Sequence, residues 1–218
     1  LLSGGRLAIY LLLPGLESAM STVARASSAL AVTLLIAATA VAGDALPKPR
    51  GLEPEVTFWQ RIFSEVSTRQ GFIHDNRHLG IVYETVSLPG AASPTRIRRV
   101  SEAARGKYER ILRTLGSGQR EGLSPEERRV LGLWGKDVSN AELRAAAGRV
   151  RFQQGLAQRF HDGLVRSGLW REHILQALRA NGVPEELVAL PHVESSFDPN
   201  ARSFVGAAGL WQFTSGTG

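Results

Sequence analysis

The chain has 218 residues and no cysteine. Disulfide bonds, thiolate metal sites and thiol nucleophiles are therefore excluded, and so is a lipid anchor of the kind attached to a lipobox cysteine. Aromatic residues make up 7% of the chain and methionine occurs once, at Met20. Uninterrupted apolar runs are short. The apolar run Ala29 to Ala42, broken by Thr33 and Thr39, falls below the roughly 20 residues that a spanning helix needs, and Leu7 to Leu13 is too short to span. No self-similar period marks a solenoid. Strand signals are few, so the fold is expected to be mainly α. What the chain does have is positive charge, with 26 Lys and Arg against 20 Asp and Glu for a net +6. Such a balance suits an anionic partner: nucleic acid, membrane surface or acidic polymer. No aromatic-interleaved basic motif supports nucleic acid, which is set aside.

The beginning of the chain is laid out like an export signal. Met20 precedes a short region with Arg25, the apolar run Ala29 to Ala42 and the small-residue site Ala40-Val41-Ala42. Residues 20–42 are expected to be a signal peptide and 1–19 an upstream extension. A location in the periplasm or cell envelope follows, with membrane association as a further expectation. Residues 43–53 read as a Pro-bearing linker.

Residues 54–170 are expected to form a helical region. Val56, Trp59, Ile62, Phe63 and Val66 recur at helical spacing. The run Ile81-Val82-Tyr83 with Thr85-Val86 is strand-like, or else begins a short helix. His74, Asp75 and His78 raise the question of a metal, but no further ligand stands in ordered spacing and a polar turn is favoured. Arg96 to Leu115 forms a basic amphipathic helix. Ser124-Pro125-Glu126-Glu127 is a capping box with Pro in the first turn. Ser139 or Asn140 caps a further helix expected to run to about Arg166, with Val150, Phe152, Leu156 and Phe160 facing a core and Gly155 and Gly163 weakening it. Another helix spans Trp170 to Ala180 and stops at Asn181-Gly182.

The chemistry is concentrated in the final stretch. Pro184-Glu185-Glu186 suits a first helical turn, and Leu187, Val188, Leu190 and Val193 continue at helical spacing. Glu194 stands at the end of that apolar run. A carboxyl partly desolvated there has a raised pKa and serves as a general acid. Asp198, four residues on, belongs to the turn Phe197-Asp198-Pro199-Asn200, where Asp bonds its own backbone. His192 points to another face than Glu194 and is expected to be packed or exposed, not catalytic. Gly206-Ala207-Ala208-Gly209 lets backbone approach closely. Trp211 beside Gln212 suits a sugar, with a flat apolar ring and an amide that both donates and accepts, although Trp211 alone reads as core.

Glu194-Ser195 with Ser196-Phe197, then Gly206-Ala207-Ala208-Gly209-Leu210-Trp211-Gln212, Thr214 and Gly216-Thr217-Gly218, resemble the catalytic core of the soluble-lytic-transglycosylase (SLT) type of lytic murein transglycosylases. From about Thr57 to Ser87 and from Leu123 onward, the chain looks like their membrane-bound family-D branch. The resemblance implies a helical region leading into a lysozyme-like SLT domain that starts at residue 171 and is cut off at Gly218. It implies that Glu194 is the one essential carboxylate and that peptidoglycan glycan strands are the partner. Ser195, Gly209, Trp211 and Gln212 are the implied substrate contacts; Trp211 departs from the Met usual there and would fill the same pocket. No metal or cofactor is implied. The implied reaction cleaves the bond between N-acetylmuramic acid and N-acetylglucosamine and leaves 1,6-anhydromuramoyl ends. The alternatives are a lysozyme-type muramidase, which leaves reducing ends, and a non-catalytic murein-binding envelope protein. The family's second cleft wall lies beyond the matching stretch, so the chain as given is expected to be inactive.

Overall fold

Strand β1, Gln70–Asp75, is the most deeply buried element of the first of two compact units, residues 51–165 and 166–216. The structure is a computed structural model that describes residues 51–90 and 93–216. The expected extension 1–19, signal 20–42 and nearly all of the linker 43–53 lie outside the described residues. β1 pairs antiparallel with β2 (Val82–Ser87) on one side and β3 (Val150–Gln154) on the other, giving the order β2-β1-β3. Successive side chains of a strand face opposite sides. Phe72 accordingly joins Phe58, Ile62 and Val66, while Ile73 joins Tyr83, Tyr108, Leu112 and Leu115. A strand covered on both faces shows a short apolar run and no alternation, which is why β1 carries a weak sequence signal.

The first layer is α1 (Glu53–Ser64), with Glu53 and Glu55 in its first turn and Val56, Phe58 and Ile62 buried. The opposite layer holds α2 (Pro94–Gly116), α3 (Pro125–Leu133) and α4 (Asn140–Ala147), which bury Tyr108, Leu112, Val130 and Leu143. The capping box forms as the sequence indicates: Glu127 N–H donates to Ser124 Oγ (3.2 Å) and Ser124 N–H to Glu127 Oε2 (2.7 Å). Ser139 caps α4 by accepting from Glu142 N–H (3.1 Å). The described chain is mainly α with this one small sheet, and residues 82–87 resolve as strand.

The single helix expected from residue 140 to about 166 is not formed. The chain breaks into α4, β3 and α5 (Ala157–Ser167). Val150 and Phe152 alternate on one face of β3 and pack against the α2–α4 side of the sheet. Gly155 ends the strand in close backbone contact. Its N–H donates to Gln70 O (2.9 Å), and a Cβ there would lie 2.1 Å from Val66 O. Only glycine fits so near an approach. Pairing with β1 thus overrides a spacing that also satisfied a helix.

The polar segment after β1 is a turn built on Asp75. Its buried carboxylate accepts from Arg77 N–H (2.8 Å) and His78 N–H (2.9 Å), and it pairs with Arg149 Nε (3.0 Å). His74 packs on Phe58 with ring centroids 4.6 Å apart, and burial lowers its pKa. His78 lies beside Glu142 (3.4 Å).

Candidate active site

The second unit carries every candidate residue. Helix α6, Arg171–Ala180, buries Ile174 and Leu175. It ends at the Asn181-Gly182 stop. Gly182 has φ +65°, its N–H donates to Arg179 O (3.1 Å), and Val183 N–H donates to Leu178 O (2.9 Å). These two bonds make a Schellman motif, in which a left-handed glycine turns the chain out of the helix.

The helix expected from Pro184 takes another form. Glu185–Ala189 is a tight 3-10 turn, and α7 is only Leu190–Glu194. Pro191 explains the break. A helix running through it would lack one i→i−4 bond and would crowd the ring against the preceding turn. In the first turn of α7 the missing N–H costs nothing.

Glu194 closes α7 and is exposed. The desolvation expected from the apolar run before it is absent, because the buried residues of α7 are Pro191 and His192. His192 packs edge-on against Phe197 with centroids 4.5 Å apart, and burial holds its pKa down to about 4, so it is neutral at neutral pH. This is the packed alternative of the two expected for it.

The chain reverses immediately after Glu194 through two left-handed residues that are not glycine, Ser196 (φ 53°) and Phe197 (φ 55°). Each costs roughly 1–2 kcal/mol, so neighbours must hold the turn. Ser195 N–H and Phe197 N–H both donate to Pro191 O (3.1 Å each). Phe197 is fully buried. Arg166 donates twice to the carbonyl of Ser196, from Nε (3.0 Å) and Nη2 (2.8 Å). Asp198 accepts from Asn200 N–H (2.9 Å), the self-bonded turn expected from sequence.

The glycine-rich stretch folds into a knot of short bridges, Arg202 with Ala208 and Ala208 with Phe213. Phe204 and Val205 protrude at one tip, fully exposed and 77% exposed. Gln212 donates from Nε2 to Gly209 O (2.9 Å) and Ala201 O (3.2 Å). Ser195 Oγ donates to Leu210 O (2.9 Å), tying the end of α7 to this knot. Ser195, Gly209 and Gln212 therefore belong to one hydrogen-bonded assembly, with Trp211 half-buried beside them. The amide donors of Gln212 and the hydroxyl proton of Ser195 are committed internally. The Gln212 Oε1 and the Ser195 lone pairs are acceptors suited to hydroxyl and amide donors of a ligand. Among the described residues no group of three His, Asp or Glu side chains is spaced to hold a metal. Arg166 and the Ser196 carbonyl were missed at the sequence level, because nothing local links positions 30 residues apart.

Residues 172–218 match the transglycosylase SLT domain family. Two curated relatives, both named membrane-bound lytic murein transglycosylase D and from Escherichia coli strains K12 and O6:H1, are each 43% identical to the chain over 58 residues, 27% of this chain and 13% of the relative. The chain thus spans about an eighth of the length of these relatives. No solved structure matches the chain.

Proposed function

We propose that residues 171–218 begin the catalytic domain of a peptidoglycan lytic transglycosylase with Glu194 as its single acid and base. The observation that carries this reading is the fixed turn behind Glu194. Within the SLT match, an exposed carboxylate ends a short helix whose next residue, Ser195, is bonded to the loop that holds Gly209, Trp211 and Gln212. Glu194 is open to a substrate, and the turn that follows it is held by hydrogen bonds, which supports a positioned acid.

In the proposed reaction Glu194 protonates the glycosidic oxygen between N-acetylmuramic acid and N-acetylglucosamine. The C1–O bond breaks, and the substrate's N-acetyl group stabilises the sugar cation. The Glu194 carboxylate then takes the proton from the muramoyl 6-hydroxyl, whose oxygen closes on C1. Atoms balance without water, and the new end is 1,6-anhydromuramoyl. Proximity favours this intramolecular closure over attack by water. Ser195 and Gln212 accept from sugar hydroxyl or amide groups, Gly209 lets the strand approach the backbone, and Trp211 lies along an apolar sugar face. The glycan strands of peptidoglycan are the partner, in the cell envelope, where the name of the relatives places them at a membrane.

The test is Glu194→Gln in the full-length protein, with murein sacculi as substrate and products resolved by chromatography and mass spectrometry. Wild type is expected to release anhydromuropeptides, and the variant to lose roughly 10²–10⁴-fold in rate while its fold is kept. Near-normal turnover by the variant would sink the assignment. Reducing ends in place of anhydro ends would make the enzyme a muramidase.

A further inference from the structure

We propose that Arg166 is a positioning residue for Glu194, clamping the carbonyl of Ser196 and so setting the direction in which the α7 terminus presents its carboxylate. The inference rests on the reading of Glu194 as the acid. Arg166 lies before the SLT match at 172–218, so the match assigns it nothing.

Glu194 is exposed, and no described residue bonds or pairs with its carboxylate. Its place is therefore set through the backbone. The backbone on its amino side is weak, because α7 has five residues and opens out of a 3-10 turn. So short a helix has little stability of its own. The backbone on its carboxyl side is strained, with Ser196 and Phe197 both left-handed. A short helix against a strained turn relaxes unless the turn is pinned.

Three pins are present. Phe197 is buried on His192, Ser195 Oγ holds Leu210 O, and Arg166 grips Ser196 O from two nitrogens at 3.0 and 2.8 Å. The third alone bears a charge, and it acts on the carbonyl of the first left-handed residue. Hydrogen bonds from a charged donor are stronger than neutral ones, and the planar guanidinium fork fixes direction as well as distance. Lysine reaches the same carbonyl with one point donor and no fork.

The experiment uses the full-length protein with Arg166→Ala, Arg166→Lys and, on the same helix, the exposed control Arg159→Ala. Amide hydrogen exchange reads the turn without turnover. In Arg166→Ala, exchange at Ser195 and Phe197, whose N–H groups bond Pro191 O, is expected to quicken on the order of tenfold to a hundredfold, the range for losing a hydrogen bond from a charged group. Exchange at Ile174 in α6, bonded to Trp170 O, is expected to stay unchanged. With a soluble glycan, kcat is expected to fall by a similar factor while KM holds, and Arg166→Lys is expected to lie between. Unchanged exchange at Phe197, or unchanged kcat, overturns the proposal. Loss of Ile174 protection in both the Ala and Lys variants also overturns it, since the role is then general folding. Wild type with a protected turn and no Glu194-dependent cleavage overturns the enzymatic reading instead, and exchange tells the two failures apart.

Discussion

At the scale of single residues, the stretch after Glu194 combines opposite demands. Glu194 is in solvent, whereas His192, two positions earlier, and Phe197, three later, are buried against each other. His192 therefore makes this unit acid-sensitive. Its pKa falls from 6.5 in the unfolded chain to about 4 in the fold, because burial penalises the imidazolium. Below pH 6.5 the unfolded chain binds a proton that the folded chain refuses. Stability is thus complete above 6.5 and declines as pH falls towards 4, by at most on the order of 3 kcal/mol at about 1.4 kcal/mol per unit. Urea midpoints measured between pH 7 and pH 4 are expected to drop, and His192→Gln should flatten the decline. An equally steep decline in the variant would place the acid sensitivity in other groups.

At the scale of elements, boundaries legible in the sequence are those written in local chemistry. Ser124 and the Asn181-Gly182 stop act within one turn of their own position and form as expected, and of the two caps open at Ser139 or Asn140 it is Ser139 that forms. Elements that depend on distant partners are not legible in that way. β3 needs β1, far back in the chain, and its Phe152 fits a helical spacing with Leu156 and Phe160 as well as an alternating one with Val150. Gly155 then marks where the strand must leave the sheet under the backbone of Val66 and Ser67. Gly155→Ala is expected to destabilise the 51–165 unit by about 3 kcal/mol or more, since the new methyl meets carbonyl oxygens and has no flexible side chain to push aside. Thermal or urea unfolding checks this, and a loss near zero would mean that the α1–β1 connection shifts at little cost. Pro191 shows the reverse case: a local signal, visible in the sequence, that outweighs the apolar spacing around it.

At the scale of the whole molecule, charge and the layout of residues 20–42 decide the expected destination. A net charge of +6 suits an anionic polymer such as murein. No helix of the described residues is long and apolar enough to cross a membrane. We propose export with cleavage near Ala42. Mass spectrometry of the mature protein from an envelope fraction is expected to find an amino terminus close to Gly43, and a cytosolic protein still beginning at Met20 would refute it.

The sequence by itself determined the mainly α class, the caps, and the order of Glu194, Ser195, Gly209, Trp211 and Gln212, because these are carried by residue types at short spacing. It also determined the Asp198 turn, since Asp bonds its own backbone two residues on. Tertiary structure alone decided that Glu194 is exposed and that the amide protons of Gln212 serve the loop and not a ligand. It alone decided that β1 is central and that Arg166 holds Ser196. Burial and hydrogen-bond commitment depend on what the rest of the chain brings within a few ångströms, and spacing along the sequence contains no such distances.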